Sequence, residues 1–477
     1  MSEPLWTIPA MADAMSATRV GALPAGVPGL SIDTRTIAPG EAFFAITGER
    51  DGHEFVPAAL QAGAGLAVVA RDKVAAMPQD APLLVVPDVL EGLNALARAA
   101  RARVGAKVVA VTGSVGKTGT KDALRLVLGG QGETHASVAS YNNQWGVPLS
   151  LARMPRDTTF GVFEIGMNHA GEITPLTRMV RPHVAIVTAI APVHLEFFGS
   201  LEAIADAKAE IFLGLETGGT AILNRDDAQF QRLSAAALAA GVARIVSFGE
   251  HERADARLLK MSLQAETSTV EARILGQDVT YKLGAPGRHV VQNSLAVLTA
   301  ASLVGADFAL AALALAALKA PVGRGERMTL DLPGGSALLI DESYNANPAS
   351  MRAALALLGQ VPMQGLGRRI AVLGDMLELG PEGPALHAGL ADGVVTSAVD
   401  LVYCAGPLMK SLWDALPSER RGGYADTAAA LEPDVLAAVR AGDAVMVKGS
   451  LGSRMGPLVK ALQRRYAQSD ERALAQG

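Results

Sequence analysis

The sequence predicts an α/β protein of three domains. These are a smaller α/β N-terminal domain, a central phosphate-loop domain whose mostly parallel sheet carries helices on both faces, and a C-terminal Rossmann-like domain. Three observations carry this reading. The chain has 477 residues, enough for about three domains of ~150 residues each. Short β-rich apolar runs alternate with Ala/Leu-rich segments of helical length almost throughout, the pattern of parallel sheets with crossover helices. One apolar strand runs straight into a glycine-rich loop and then a helix, at residues 108 to 124.

The first block, residues 1–104, holds the runs Ala42–Thr47, Leu66–Ala70 and Leu83–Pro87. It ends in an amphipathic helix near Val89–Val104, whose basic residues Arg98, Arg101 and Arg103 suit a helix C-terminus. The second block, 105–320, opens on the strand Val108–Val111. Further strands are expected at Phe160–Ile165, Val184–Ile190, Thr220–Leu223 and Ile245–Phe248. Residues 250 to 285 alternate apolar and polar and read as antiparallel hairpins joined to the parallel sheet. Two Ala-rich helices, at about 289–303 and 307–319, close the block. The third block, 321–477, carries strands at Ala337–Asp341, Arg369–Gly374, Leu401–Ala405 and Ala444–Lys448.

Composition narrows the function. Net charge is −5, so no global basic field attracts nucleic acid or an anionic membrane. The longest unbroken apolar run, Phe308–Leu318, falls well short of the ~20 residues a span needs. The single cysteine, Cys404, excludes an internal disulfide framework and suits a reducing cytosol. The segment MSEPLWTIPAM has no basic stretch followed by an apolar one, so no signal peptide is expected and the location is read as cytoplasmic.

The strongest motif is VVAVTGSVGKTGTKDAL, within which Gly113, Ser114, Val115, Gly116, Lys117, Thr118 and Gly119 form the loop and first helical turn. Small residues let backbone N–H groups turn inward around a phosphate, and the helix N-terminus adds partial positive charge. Lys117 is expected at the β/γ-phosphates of a nucleotide, with the Thr118 hydroxyl on Mg²⁺. The general motif has Gly where Val111 stands. Three downstream groups are candidate metal ligands. Glu164 ends a strand at the edge where α/β proteins bind ligands, with a cap or structural ion pair as the plainer alternative. His194 follows the next strand and could equally be an ordinary loop histidine. Lys208 lies on a predicted helix among Ala, Ile and Phe; the alternative is a snorkelling lysine beside Asp206 or Glu210.

Together the loop, Glu164, His194 and Lys208 resemble the Mur ligase family in order and spacing. Four further stretches sharpen the likeness: residues 31 to 64, YNNQWGVPLSL, LIDESYNANPASMRAAL, and AVLGDMLELG followed by VMVKGSLGSRM. The resemblance implies a monomeric enzyme of the bacterial cytoplasm that uses ATP to join D-alanyl-D-alanine to UDP-N-acetylmuramoyl-tripeptide through an acyl phosphate. It implies two Mg²⁺ sites, one on Thr118 and Glu164, the other on His194 and a Lys208 carbamylated by CO₂. Asn293 matches the adenine-side asparagine, Arg324 the arginine reaching the γ-phosphate, and Asp341 the carboxylate near ribose. Ser31, Asp33, Thr34 and Arg35 match the UDP-binding segment. Asn142, Asn143, Tyr344 and Asn345 are expected at substrate. Read without the family, Asn293 could cap a helix, Arg324 could pair with Glu326, and Asn347 could cap the helix after a plain turn. The rival readings are the sibling ligase that adds diaminopimelate or lysine, a folylpolyglutamate synthetase, and a phosphate-loop switch without ligase chemistry. The absence of any Asn-Pro-Arg run favours the dipeptide-adding enzyme over its sibling.

Overall fold

The computed structural model describes residues 3–138, 141–193, 195–264, 266–319, 323–363 and 365–466. Three main sheets organise the chain. In the N-terminal part, Thr18–Val20, Leu83–Val86, Leu66–Ala70, Ala42–Phe44 and Leu30–Ser31 lie side by side in that order, all parallel except the first pair. The run predicted to Thr47 leaves the sheet at Phe44, and Ile46 folds back to bond Phe44. Helix Val89–Ala102 starts on Asp88, whose side chain accepts the N–H of Glu91. Its buried face, including Leu93, Leu96 and Ala100, packs into the same core as Val147, Leu149 and Phe163 of the central part.

Polar contacts complete that junction. Trp6 Nε1 donates to the carbonyl of Ala152 across 2.9 Å, and the Arg103 guanidinium covers the Trp6 ring at 3.5 Å. Arg153 donates to the Leu30 carbonyl. Arg101 stands in the last turn of helix Val89–Ala102, as expected, and is buried there, donating to the carbonyls of Val180 and Arg181.

The central sheet has nine strands, in the order Gln277–Leu283, Ser268–Ile274, Ala256–Leu263, Arg244–Gly249, Thr220–Asn224, Val184–Val187, Lys107–Thr112, Phe160–Glu164 and Thr134–Ala136. The last seven are parallel, and the first two form the antiparallel extension that the alternation of residues 250 to 285 predicts. Alternate residues of Lys107–Thr112 feed opposite cores: Val108 and Ala110 one face, Val109 and Val111 the other. That strand lies between Phe160–Glu164 and Val184–Val187, so the chain leaves it first to one side and then to the other. This is a topological switch point, where a crevice opens beyond the strands' carboxyl ends.

The third sheet runs Glu326–Leu332, Gly335–Glu342, Ala444–Lys448, Arg369–Gly374, Leu401–Ala405 and Arg421–Ala425, antiparallel only at the first pair. It too is covered on both faces. Among the described residues, no helix is long and apolar enough to cross a membrane.

Candidate active site

The crevice at the central switch point is built by the phosphate loop. Gly113 and Gly116 hold φ of +141° and +87°, the backbone region that disfavours side chains. A side chain at Gly113 would also collide with the Thr188 hydroxyl. Helix Lys117–Gly129 starts on Gly116 and points its first N–H groups into the crevice.

The loop is clamped from the neighbouring strand end. Thr188 Oγ1 lies 2.6 Å from the Val115 carbonyl, Ser114 N donates to Ala189 O, and Ser114 Oγ donates to Ala191 O. The strand predicted to Ile190 ends at Val187; beyond it the Thr188 hydroxyl and the Ala189 and Ala191 carbonyls bond the loop, and Ile190 N donates to the Asp227 carboxylate. Thr188 was not singled out in the sequence. Its only signal is a threonine closing an apolar run.

Lys117 folds over the loop, its Nζ donating to Gly113 O at 2.6 Å and Ser114 O at 3.2 Å. Burial pushes its ammonium down to about 8, with Glu164 opposing the shift and Arg324 adding to it. The two cations thus lie within electrostatic reach of one another, an arrangement suited to a polyphosphate. Beside them, Thr118 Oγ1 donates to Glu164 Oε2 at 2.8 Å, and Glu164 is almost fully buried. A hydroxyl and a carboxylate side by side next to a phosphate loop are a hard-donor pair fit for Mg²⁺. The other oxygen of Glu164 accepts from Asn142 Nδ2 at 2.7 Å.

Lys208 is 1% exposed on helix Leu201–Ala209. The alternative of a snorkelling lysine paired with Asp206 or Glu210 is overturned. Asp206 binds Arg232, and Glu210 accepts from Gly171 N, Thr174 N and Thr174 Oγ1. Desolvation first, then Lys117, push the Lys208 ammonium well below the ordinary lysine range; Glu164, Glu172 and Glu210 act in the opposite sense. His194 lies outside the described residues.

From the central part, the Asn293 amide lies against Gly116, so it sits one turn into helix Arg288–Leu303 rather than capping it. Across the gap, Arg324 stacks on the Tyr344 ring at 4.6 Å rather than pairing with Glu326. Asp341 is buried and accepts from Ser343 N. Asn345 is exposed, its Oδ1 bonded to Ala346 N. Asn347 caps helix Pro348–Gly359 in a reciprocal bond with Ser350. The C-terminal part also touches the central part where Glu196 N donates to Glu378 O, a contact with no sequence signal.

The segment matched to UDP binding lies at the N-terminal side. Asp33 and Arg35 form an ion pair at 2.6 Å, Ser31 is buried with its hydroxyl bonded to Asp33, and Thr34 is half-buried. Arg35 holds Asp33 below the usual carboxylate range. Tyr141 lies within electrostatic reach of Arg35, which brings the residues around 141–145 towards this segment. Asn143 Oδ1 accepts from Trp145 N and Gly146 N at the start of helix Gly146–Ala152. A side chain on Gly48 would run into the Trp145 ring, so the N-terminal loop rests on this turn.

Three family models match successive parts of the chain: the Mur ligase family catalytic domain at residues 27–102, the Mur ligase middle domain at 111–301, and the Mur ligase glutamate ligase domain at 323–451. UDP-N-acetylmuramoyl-tripeptide–D-alanyl-D-alanine ligases of Escherichia coli and Rickettsia prowazekii are similar. The first is 35% identical, covering 91% of this chain and 93% of its own; the second is 31% identical, covering 90% and 94%. Among solved structures, MurF from Acinetobacter baumannii superposes with a TM-score of 0.82 at 28% identity, covering 97% of this chain and 100% of its own. MurF ligase from Thermotoga maritima in complex with ADP superposes at 0.74 and 26%, covering 92% and 98%.

Proposed function

Because the chain belongs to the Mur ligase family, we propose that it is the ATP-dependent, ADP-forming ligase that adds D-alanyl-D-alanine to UDP-N-acetylmuramoyl-tripeptide in peptidoglycan precursor synthesis. The observation that carries the chemistry is Lys117 folded over the phosphate loop beside the Thr118–Glu164 pair, with Arg324 within electrostatic reach of Lys117. The likeness to ligases of that name over more than nine-tenths of their length supports the substrate pair.

The reaction joins two anions before it joins an amine. The tripeptide carboxylate attacks the γ-phosphorus of ATP; ADP leaves and an acyl phosphate remains. The amine of D-alanyl-D-alanine attacks the acyl carbon, the amide forms, inorganic phosphate departs and the amine loses a proton. Catalysis is therefore chiefly charge neutralisation and alignment. Loop N–H groups between Gly113 and Gly119 cradle phosphate oxygens. Lys117 exchanges its two loop carbonyls for the β/γ-phosphates. Arg324 meets the charge that builds on the transferring phosphoryl group. Asn293 lies on the adenine side of the loop and Asp341 on the ribose side.

Thr118 and Glu164 would hold one Mg²⁺, and His194 with Lys208 a second. The ions supply neutralisation of phosphate charge. Lys208 serves there as a carbamate: its neutral amine adds to CO₂, forming a C–N bond and releasing one proton, to give an anion with two oxygens. The burial of Lys208 and the lack of any hydrogen bond or ion pair to its ammonium among the described residues support this.

The UDP-bearing substrate is read on Ser31, Asp33, Thr34 and Arg35, with Asn142 beside Glu164 and Asn143 on the adjoining turn at the substrate's far end, and Asn345 on the dipeptide side. The functional division follows as 1–104 for the UDP substrate, 105–320 for ATP, and 321–477 for closure and dipeptide. The enzyme acts as a monomer in the bacterial cytoplasm.

One assay tests the assignment. ADP release with UDP-N-acetylmuramoyl-tripeptide should depend on D-Ala-D-Ala and be far weaker with D-Ala, L-Ala-L-Ala or diaminopimelate. Faster turnover with diaminopimelate on the UDP-muramoyl dipeptide would assign the sibling reaction instead.

A further inference from the structure

Arg324 is held in an unusual way for a catalytic cation. It lies between two glycines in left-handed backbone, Gly323 at φ +70° and Gly325 at +97°, so its own segment gives it little local stiffness. Two backbone hydrogen bonds fasten that segment to the end of strand Gly335–Glu342 and the loop after it: Gly325 N donates to Asp341 O at 2.8 Å, and Tyr344 N donates to Gly323 O at 3.1 Å. A Cβ on Gly323 would press on the Tyr344 Cβ at 3.0 Å, so the two segments meet with no room for a side chain. The guanidinium then lies over the Tyr344 ring, 4.6 Å from its centroid.

What is missing around Arg324 matters as much. Among the described residues no carboxylate pairs with it and no acceptor takes its N–H groups, though the cation lies close enough to Lys117 to disfavour the ammonium there. A carboxylate partner would hold the side chain but cancel its charge and occupy its donors. An aromatic face holds a guanidinium by its quadrupole and leaves the in-plane N–H groups free.

We propose that Tyr344 is a positioning residue, whose ring presents Arg324 to the transferring phosphoryl group with its charge and donors uncommitted. The proposal rests on the reading of Arg324 given under Proposed function and assigns Tyr344 a task other than gripping the dipeptide.

The test compares Tyr344→Leu with Tyr344→Phe in the full-length enzyme, each also combined with Arg324→Ala. Loss of the aromatic face should lower kcat by about 3- to 30-fold with the KM for ATP and for D-Ala-D-Ala nearly unchanged. Phe should recover most of that loss. In the Arg324→Ala background, Tyr344→Leu should add nothing further. Should the Leu variant fold poorly by thermal unfolding, Tyr344→Met has similar volume without an aromatic face and carries the same expectation. Equal losses in Phe and Leu variants, a change confined to either KM, or full additivity with Arg324→Ala would overturn the proposal. Wild-type kcat in Arg324→Ala alone would overturn the reading of Arg324, and the proposal with it.

Discussion

Thr118 Oγ1 donates to Glu164 Oε2 at 2.8 Å, tying the first turn after the phosphate loop to the end of the adjacent strand. The pairing follows from register, since Glu164 stands opposite Val111, just before the loop begins. With Asn142 on its other oxygen, Glu164 has both oxygens engaged by neutral donors, which fixes their direction at the loop. Glu164→Gln keeps the shape and removes the charge. It should raise the Mg²⁺ concentration needed for half-maximal ADP formation by about tenfold or more, and weaken Mn²⁺ binding seen by electron paramagnetic resonance in the same sense. An unchanged Mg²⁺ dependence would remove Glu164 from the metal site.

Lys117→Ala should lower turnover by roughly a hundredfold or more while leaving binding of the UDP substrate nearly intact, since the loop and the Ser31–Arg35 segment sit on different sheets. Calorimetric titration with that substrate separates the two effects. A pH effect accompanies this. The folded-state pKa of Lys117 is about 8, against an ordinary value of 10.5. Between those values the folded chain holds fewer protons than the unfolded one, so this group makes stability rise with pH through that window and costs most below it. Lys117→Met should abolish that part of the slope in thermal unfolding of the ligand-free protein. Pyrophosphate, by supplying the missing anion, should flatten it in the wild type.

Arg324→Ala should depress kcat by about 10²–10³-fold, with a much smaller change in the KM for ATP. A group that reaches its target across the gap between two sheets contributes more to the transition state than to the ground state. Single-turnover measurement of ADP release reads the step directly. An effect confined to the KM for ATP would make Arg324 a simple binding residue.

Much of this architecture was legible in the residues, and the exceptions share a cause. The strand Lys107–Thr112, its loop and its helix could be read because pattern, glycines and Lys-Thr all lie within one short segment. The antiparallel extension could be read from alternation. The strands Arg421–Ala425 and Thr134–Ala136 could not. Both are edge strands with little apolar content, and they exist because a neighbouring strand offers hydrogen bonds. Glu326–Leu332 was missed likewise, being defined by its antiparallel partner Gly335–Glu342. At the site, Thr188 under the loop, Asn142 on Glu164 and Tyr344 under Arg324 are relations between distant segments. Register and packing create them, and no local periodicity reports them.

Lys208 gives the sharpest test of the second cation site. Its ammonium is buried, and the two acids nearest in sequence are already committed, Asp206 to Arg232 and Glu210 to Gly171 and Thr174. Desolvation of a buried cation is unfavourable, and together with repulsion from Lys117 it outweighs the attraction of Glu164, Glu172 and Glu210. The group therefore favours the neutral amine, the form that reacts with CO₂. As a carbamate it exchanges a desolvated ammonium for a two-oxygen anion, whose charge a bound divalent cation would balance against the nearby Glu164, Glu172 and Glu210. Lys208→Ala should be nearly inactive and partly rescued by acetate or another short carboxylate that can occupy the emptied space. Wild-type activity should fall in CO₂-depleted buffer and return with bicarbonate. ¹³CO₂ labelling followed by NMR should give a carbamate carbonyl resonance that Lys208→Ala lacks. Full activity after CO₂ depletion, together with no such resonance, would leave Lys208 an ordinary buried amine and the second cation site without this ligand.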